Sequence, residues 1–83
     1  MSHSAATIEL AVAVHLDREG AKSILVSDTG EHKDAKWIPR SLIASFHLTG
    51  KTTRGTDRNG QVTTLPMAHL EIPEWKAKQE GLI

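Results

Sequence analysis

A strict alternation of side chains over residues 8–16 constrains the fold of this chain more than any other feature. Large apolar residues occupy every second position, and the residues between them are small, polar or charged. A period of two is typical of a β-strand with one buried face, whereas a helix repeats its apolar residues every three or four positions. The segment therefore predicts a half-buried strand, with these residues on its inner face: Ile8, Leu10, Val12, Val14 and Leu16.

The segment from Lys22 to Ile43 predicts a β-hairpin followed by a sharp corner. Its first strand is the short apolar run Ser23–Ser27, which has the composition of a buried strand. The turn is Asp28-Thr29-Gly30, because Asp caps turns with its side chain and Gly adopts positive φ without strain. Ala35–Ile38 forms the returning strand, and Pro39 ends its pairing because proline has no N–H.

Two later segments also alternate and predict a fourth strand at residues 42–48 and a fifth at residues 62–71. Pro66 confines the fifth strand to a sheet edge or a bulge. Between these strands, residues 49–61 are rich in glycine and cationic side chains and predict a long loop. Within this loop, Asn59-Gly60 predicts a type I′ hairpin turn.

The end of the chain predicts a short helix over residues 73–80. Pro73 suits a first helical turn, and Glu74 complements the positive end of the helix dipole. Gly81 suits a left-handed residue after the last helical turn. We expect Leu82 to fold back onto the helix around Ala77.

These elements predict one domain over residues 1–83, with residues 1–6 as a flexible tail. The fold class is mainly β: a small antiparallel SH3-like or OB-like barrel, or a curved sheet, of about five strands with a short C-terminal helix. The strands are expected near residues 7–16, 22–28, 34–38, 42–48 and 62–71. Trp37 is expected to be at least partly buried, and Trp37→Ala would cost about 3–5 kcal/mol if it is a core residue. The predicted core comprises Leu10, Val12, Val14, Ile24, Val26, Ile38, Phe46 and Leu70.

The composition excludes several kinds of site and partner. The chain has no cysteine, which rules out disulfides and cysteine nucleophiles and agrees with a reducing compartment. Ten basic and ten acidic residues give a formal charge of zero, so the electrostatic footprint of a general nucleic-acid binder is missing. No apolar run approaches a membrane span, and the first seven residues do not resemble a signal peptide. We therefore expect a cytoplasmic protein that spans no membrane.

The chain resembles a loosely defined set of small phage and prophage proteins, mostly of unknown function. The resemblance lies in an ILV strand at Ile24–Val26, in WIPRSLI at Trp37–Ile43, and in IPEWKAKQEGLI at Ile72–Ile83. These segments comprise 22 of the 83 residues, about a quarter of the chain, and the first strand and residues 49–61 fall outside them. The resemblance implies a phage or mobile-element origin and no catalytic residues. Small proteins of such origin include inhibitors of bacterial defence systems.

Two short motifs resemble catalytic signatures without their structural context. Asp28-Thr29-Gly30 has the sequence of the aspartic-protease triplet, but that chemistry needs two carboxylates sharing a proton, and Glu31 stands where a small residue is expected. A plain hairpin turn explains the triplet. Residues 45–52 come close to a P-loop, but Ser45 replaces the first glycine and no helix can begin after them. We therefore predict that the protein is not an enzyme and uses no cofactor.

Five histidines are many for a chain of 83 residues. His15, His47 and His69 fall on outward faces of predicted strands, whereas His3 and His32 fall in a tail and a turn. A metal site needs at least three convergent ligands, and the sequence has no His-x-His or His-x-x-x-His spacing. We therefore interpret the histidines as surface or rim residues and predict no metal site.

The candidate binding residues are three cations of the long loop and two tryptophans. Lys51, Arg54 and Arg58 could follow a phosphate backbone, as loops of OB-like barrels do, with one of the three aromatic residues, Trp37, Phe46 or Trp75, as a stacking platform. A solvated loop explains the same cations without a ligand. The zero net charge favours that simpler interpretation.

We expect a non-enzymatic phage accessory protein that binds a host or phage protein, with inhibition of a bacterial defence system as one such role. The alternative is a nucleic-acid-binding accessory protein of phage recombination or replication. The long polar loop and the sheet edge expected at Pro66 favour the protein partner, because small scaffolds recognise proteins through loops and edges. Homodimerisation through that edge is left open as well.

Overall fold

The computed structural model of the protein describes residues 6–83. It contains five strands, two 3-10 turns and one helix, and the helix and strand types agree with the prediction. The strands and helix are β1 (Thr7–Leu16), β2 (Ser23–Ser27), β3 (Lys36–Pro39), β4 (Ser45–Thr56), β5 (Val62–Pro73) and α1 (Glu74–Gln79). The tail expected over residues 1–6 lies outside the described residues except for Ala6, whose carbonyl accepts a hydrogen bond of 2.8 Å from the Glu74 N–H.

All five strands form one antiparallel sheet in the order β3-β2-β1-β5-β4. The last strand therefore returns beside the first, and β3 and β4 form the two edges of an open sheet. Of the alternatives that the sequence left open, the curved sheet is the one formed, and the sheet does not close into a barrel. The short 3-10 turn Arg40–Leu42 connects the two edge strands, so β4 begins at Ser45 rather than at residue 42.

The core lies on the face of the sheet that the alternation predicted, except at Leu16, which is 39% exposed because β1 is irregular between Val14 and Leu16. In the register, Val12 lies opposite Ala68, Val14 opposite Val26, and Ile24 opposite Ile38, so apolar residues meet across every strand pair. Six of the eight predicted core residues are buried: Val12, Val14, Ile24, Val26, Ile38 and Leu70. The other two, Leu10 and Phe46, pack against this cluster and are partly buried.

Helix α1 closes one end of the core, as the sequence predicts. Ala77 and Leu82 are buried in the same cluster as Ile72. The chain turns back at Gly81, which has a φ of 73°, and the Leu82 N–H donates to the Ala77 carbonyl over 2.9 Å. The fold-back of Leu82 onto Ala77 is confirmed. The described part of the chain holds no helix with the length and apolarity to cross a membrane.

About half of the Trp37 side chain is buried, in line with the expected partial burial, but it lies outside the core, so the cost of about 3–5 kcal/mol that a core position would imply does not apply. Its side chain is 52% exposed, whereas its neighbour Ile38 is fully buried. Adjacent residues of a strand point to opposite faces, and pairing with Ile24 directs Ile38 inward. The register therefore leaves Trp37 on the outer face, opposite Leu25 of β2.

Residues 49–61 do not form a long loop, which is a second correction. Strand β4 continues to Thr56 and pairs with β5 as far as Val62. The ladder is interrupted between Leu48 and Thr52, where β4 bulges opposite Met67 and Gly50 has a φ of 83°. Three β-branched threonines follow the bulge and suit a strand, namely Thr52, Thr53 and Thr56.

Pro66 lies opposite Thr52, directly beside this bulge. Strand β1 pairs with β5 only from Met67 onward, so the proline also lies beyond the end of that ladder. The bulge expected at Pro66 is confirmed. Although β5 as a whole lies between β1 and β4, Pro66 is paired only on its β4 side, so its other side is a local sheet edge as well.

The β4–β5 turn differs from the predicted type I′ turn. A type I′ turn needs positive φ at both central residues, but only the glycines of residues 6–83 have positive φ, and Asn59 does not. Instead the Gly60 N–H donates to the Asp57 carbonyl and the Asp57 N–H to the Gln61 carbonyl, each over 2.9 Å. With Gly60 at a φ of 80°, this is a type I turn followed by a left-handed glycine.

The tip of the β4–β5 hairpin folds back onto the β2–β3 connection. The Thr56 N–H donates to the Gly30 carbonyl over 3.0 Å, and the His32 N–H donates to Thr56 Oγ1 over 3.1 Å. A Cβ on Gly55 would overlap the carbonyl oxygen of Gly30, so glycine permits this approach. We call this contact the Gly30–Gly55 junction. It brings the hairpin tip next to β3, and so creates the cleft described below.

Candidate functional site

A cleft of about 670 Å³ lies between the hairpin tip and the outer face of β2 and β3. Trp37 lies on the rim of this cleft, and we call it the Trp37 cleft. Its apolar lining includes Leu25 of β2 and Leu65 of β5, both buried. The full lining consists of His15, Leu16, Arg18, Leu25, His32, Ala35, Trp37, Asp57, Arg58, Thr63 and Leu65.

Two imidazoles form one wall of the cleft. The rings of His15 and His32 meet edge to face, with their centroids 5.6 Å apart. Strand β1 has an irregularity between Val14 and Leu16, and His15 lies at this point. Because of the bulge, Leu16 pairs with Leu25 and the imidazole turns toward the β2–β3 connection.

Ser27 anchors the His15 ring. Nε2 of His15 and Oγ of Ser27 are 2.7 Å apart, and the same Oγ accepts a hydrogen bond of 2.8 Å from the Gly30 N–H. Ser27 is fully buried, so its hydroxyl needs these partners. Its burial makes it a structural link between the cleft and the Gly30–Gly55 junction rather than an accessible nucleophile.

The β2–β3 turn confirms part of the predicted role of Asp28-Thr29-Gly30. Gly30 has a φ of 87°, as the turn requires. The capping comes from Thr29, whose Oγ1 accepts from the Glu31 N–H and donates to the Asp34 carboxylate. Asp28 itself is exposed. The triplet thus has turn geometry, and the prediction that it does not catalyse stays a prediction.

Two guanidinium groups give the cleft a local positive charge. Arg18 projects from the β1–β2 turn and Arg58 from the β4–β5 turn. Within residues 6–83, neither has a carboxylate within 4 Å. Asp17 pairs instead with Arg40 over 2.5 Å, and Arg40 also binds the Arg18 and Ala21 carbonyls, which fixes the turn that carries Arg18.

Asp57 is the one carboxylate that lines the cleft. Its Oδ1 accepts backbone hydrogen bonds from the Asn59 and Gln61 N–H groups, over 2.9 and 3.0 Å. These bonds occupy the carboxylate in holding its own turn. The cleft is therefore more cationic than the neutral composition of the chain suggests.

The pKa of the His15 imidazole is lowered by burial and, to a lesser extent, by the neighbouring His32. In the native state the imidazole therefore takes up its proton at a lower pH than in the unfolded state, where its pKa keeps the ordinary value of 6.5. Between these two pKa values the unfolded state binds more protons, so stability falls as the pH drops through this window.

We expect His15→Gln to remove this part of the pH dependence, because glutamine takes up no proton. The measurement is the urea midpoint between about pH 7.5 and pH 5, compared with the wild-type slope. The control is His69→Gln, which removes an imidazole from the exposed pair that His69 forms with His47 outside the cleft. An unchanged slope in His15→Gln would contradict the prediction.

The predicted binding residues are only partly brought together. Trp37 and Arg58 share the cleft, whereas Lys51 lines a separate hollow with Ala11 and His69. Arg54 is exposed on β4 and lines neither, and Trp75 is exposed on α1. The cations expected to follow one phosphate backbone thus do not converge on one surface.

Besides Arg58, the cleft contains three basic residues that were not predicted as binding residues: His15, Arg18 and His32. It placed His15 on the outer face of the first strand and His32 in a turn, which was correct for each alone. The antiparallel pairing of β1 with β2 brings His15 near Ser27, and the sequence did not predict this register. Nothing in the sequence indicates the bulge that turns the ring.

The histidines do not assemble into a metal centre within the described part of the chain, where no group of three His, Cys, Asp or Glu side chains is placed to hold an ion. The exposed imidazole of His69 lies instead 3.4 Å from the Glu9 carboxylate. No protein-family model, no curated protein and no solved structure matches the chain. The argument for function therefore depends on the cleft itself.

Proposed function

We propose that this protein is a non-catalytic accessory protein of phage type that acts by docking one partner protein in the Trp37 cleft. The partner is a host or phage protein in the bacterial cytoplasm. Where it is a nuclease or effector of a bacterial defence system, occupation of its surface inhibits it. The phage assignment is supported by the sequence pattern, and the docking assignment by the cleft.

The observation that carries the docking proposal is the exposed indole of Trp37 beside an apolar lining and two guanidinium groups. An indole that is 52% exposed leaves a large apolar surface in water, which a partner can cover. Tryptophan and arginine are the residues most enriched among those that dominate binding energy at protein interfaces. Leu16, which is 39% exposed, extends the apolar surface of Trp37 that a side chain of the partner can cover.

Nucleic-acid binding remains the second candidate, since Trp37 and Arg58 lie together and could stack a base and contact a phosphate. Lys51 lines a separate hollow, which argues against one continuous row of cations for a phosphate backbone. Binding through three cations would weaken with a log–log salt slope of about −2 to −3, whereas docking through apolar contacts would vary little with salt.

The experiment is a pull-down from bacterial lysate with the wild-type protein, Trp37→Ala and Trp75→Ala. The two tryptophans form a matched pair because each is 52% exposed, and Trp75 lies on α1 outside the cleft. We expect a captured protein that survives nuclease treatment and whose affinity falls roughly 30-fold in Trp37→Ala, equivalent to about 2 kcal/mol. Trp75→Ala should bind as the wild type does.

Each other outcome is informative, provided that circular dichroism shows both variants folded. Capture of nuclease-sensitive nucleic acid alone would replace the protein partner with the second candidate. Equal capture by Trp37→Ala and the wild type would remove the cleft as the docking surface. Turnover of any substrate that is lost in Asp28→Asn, with the fold intact, would contradict the non-catalytic assignment.

A further inference from the structure

The lining of the Trp37 cleft has two arginines and one carboxylate, so it carries more positive than negative charge. Arg18 and Arg58 enter from two different turns, and the imidazoles of His15 and His32 stand between β1 and the β2–β3 connection. The single lining carboxylate, Asp57, already accepts two backbone hydrogen bonds. An otherwise neutral protein thus concentrates unpaired cationic groups at one concave surface.

This arrangement is held in place by the fold rather than by flexible surface chains. Arg40 fixes the turn that carries Arg18 through bonds of 2.6 Å to the Ala21 carbonyl and 3.1 Å to the Arg18 carbonyl. Asp57 fixes the turn that carries Arg58 through its bonds to Asn59 and Gln61. A ligand that meets both guanidinium groups therefore does not have to order the backbone that presents them.

We propose that the Trp37 cleft recognises an acidic peptide segment of the partner, with a Glu or Asp carboxylate against Arg18 and Arg58 and an adjacent apolar side chain on the exposed surfaces of Leu16 and Trp37. This inference rests on the proposed docking function and adds the chemistry of the partner. Guanidinium groups bind carboxylates through charge-assisted, often bidentate hydrogen bonds. The apolar lining beside the cations distinguishes a mixed acidic and apolar segment from a free anion.

The imidazoles couple this recognition to pH. The charged and titratable groups that face His15 across the cleft are Arg18, His32, Asp57 and Arg58. Burial is the larger cause that lowers the pKa of the His15 ring, and the neighbouring His32 adds to it, so the ring is kept neutral when the cleft is empty. A bound carboxylate favours the imidazolium, so binding takes up a proton and strengthens as the pH falls.

The test uses a synthetic peptide that alternates Glu or Asp with Leu, and a control peptide with Gln and Asn in place of the acids. Binding is measured by calorimetry at low salt and by the shift of the Trp37 indole resonance in NMR spectra. We expect the acidic peptide to bind roughly ten- to hundredfold more tightly than the control peptide, and more tightly at about pH 6 than at about pH 8.

The matched variants are Arg58→Gln and Arg54→Gln, which remove one exposed guanidinium each from the same hairpin, inside and outside the cleft. Arg58→Gln should weaken the acidic peptide roughly tenfold, and Arg54→Gln should leave its affinity unchanged. In His15→Gln the affinity should depend less on pH. Equal binding of the two peptides, or equal effects of the two arginine variants, overturns the inference.

A single-stranded oligothymidylate serves as the competing probe. If it binds at the Trp37 indole and the acidic peptide does not, the cleft is a nucleic-acid site and the inference is wrong. Failure of the acidic peptide alone, with partner capture still lost in Trp37→Ala, overturns the partner chemistry but leaves the docking function standing. Failure of the docking function itself is recognised separately by unchanged capture in Trp37→Ala.

Discussion

Gly55→Ala is expected to lower the free energy of unfolding by about 2–3 kcal/mol, which is large for one methyl group on a small domain. The added Cβ would overlap the Gly30 carbonyl oxygen and lie 2.6 Å from Cδ1 of Leu65. One of these neighbours is backbone and cannot rotate away. The Gly30–Gly55 junction must therefore open, and its bonds from Thr56 and His32 are lost with it.

The measurement is urea denaturation together with hydrogen exchange of the Thr56 amide. Gly20→Ala is the control, because Gly20 has a φ of 84° and no atom within 4 Å of the added Cβ. That control should cost about 1 kcal/mol of backbone strain and keep the Thr56 amide protected. A Gly55→Ala protein with wild-type stability and protection would mean that the hairpin tip does not pack on Gly30.

The same substitution tests how the cleft is built. One wall of the Trp37 cleft comes from the β4–β5 hairpin and the other from β2 and β3, and the Gly30–Gly55 junction joins them. We expect Gly55→Ala to weaken binding at the cleft even under conditions where the core stays folded. For binding the control is Gly81→Ala, because Gly81 follows α1, has open space around the added Cβ and does not line the cleft.

The strand β1 was predicted correctly because the alternation of apolar and polar residues follows directly from the geometry of a half-buried strand. Each residue of the alternating segment faces either the core or the other side, and this choice is visible without knowing any partner strand. The same holds for the fold-back of Leu82 at Gly81, where local backbone chemistry determines the ending. Elements of this kind can be predicted from local sequence.

The part of β4 that follows the bulge was predicted as a loop because its glycines are required by contacts with other strands and turns, not by a local turn. Gly50 serves a bulge opposite Met67, and Gly55 permits the approach of Gly30, which is distant in sequence. A glycine in a loop and a glycine at a close backbone approach have the same sequence signal. The β-branched threonines beside these glycines suit a strand. The loop prediction depended instead on the glycines and the cationic side chains.

The cleft was predicted only through Trp37 and Arg58, and as separate features. No spacing relates residues 15, 18, 32 and 58, because they lie on three different turns and one bulge that the tertiary fold brings together. The size of Trp37 suggested burial, whereas the register with β2 decides which of two adjacent large residues faces inward. The size of a side chain indicates how much apolar area its burial would remove from water, but not which face of the strand it occupies.

Ile38→Ala is expected to lower the free energy of unfolding by about 2–5 kcal/mol, because Ile38 is fully buried opposite Ile24 at the centre of the core. If this variant does not fold, Ile38→Val should still show a loss of about 0.5–1.5 kcal/mol. Both values come from urea denaturation at neutral pH, compared with the wild type.

The matched neighbour is Trp37→Ala, which we expect to cost only about 1–2 kcal/mol because roughly half of the indole stays in water. In partner binding the order should reverse: a folded Ile38→Val protein keeps its affinity, and Trp37→Ala loses it. The two residues are adjacent in the chain and differ in the face they occupy, so this reversal tests the register of β3 directly. If Trp37→Ala destabilises the protein as much as Ile38→Ala does, the indole belongs to the core and the proposed cleft loses its anchor.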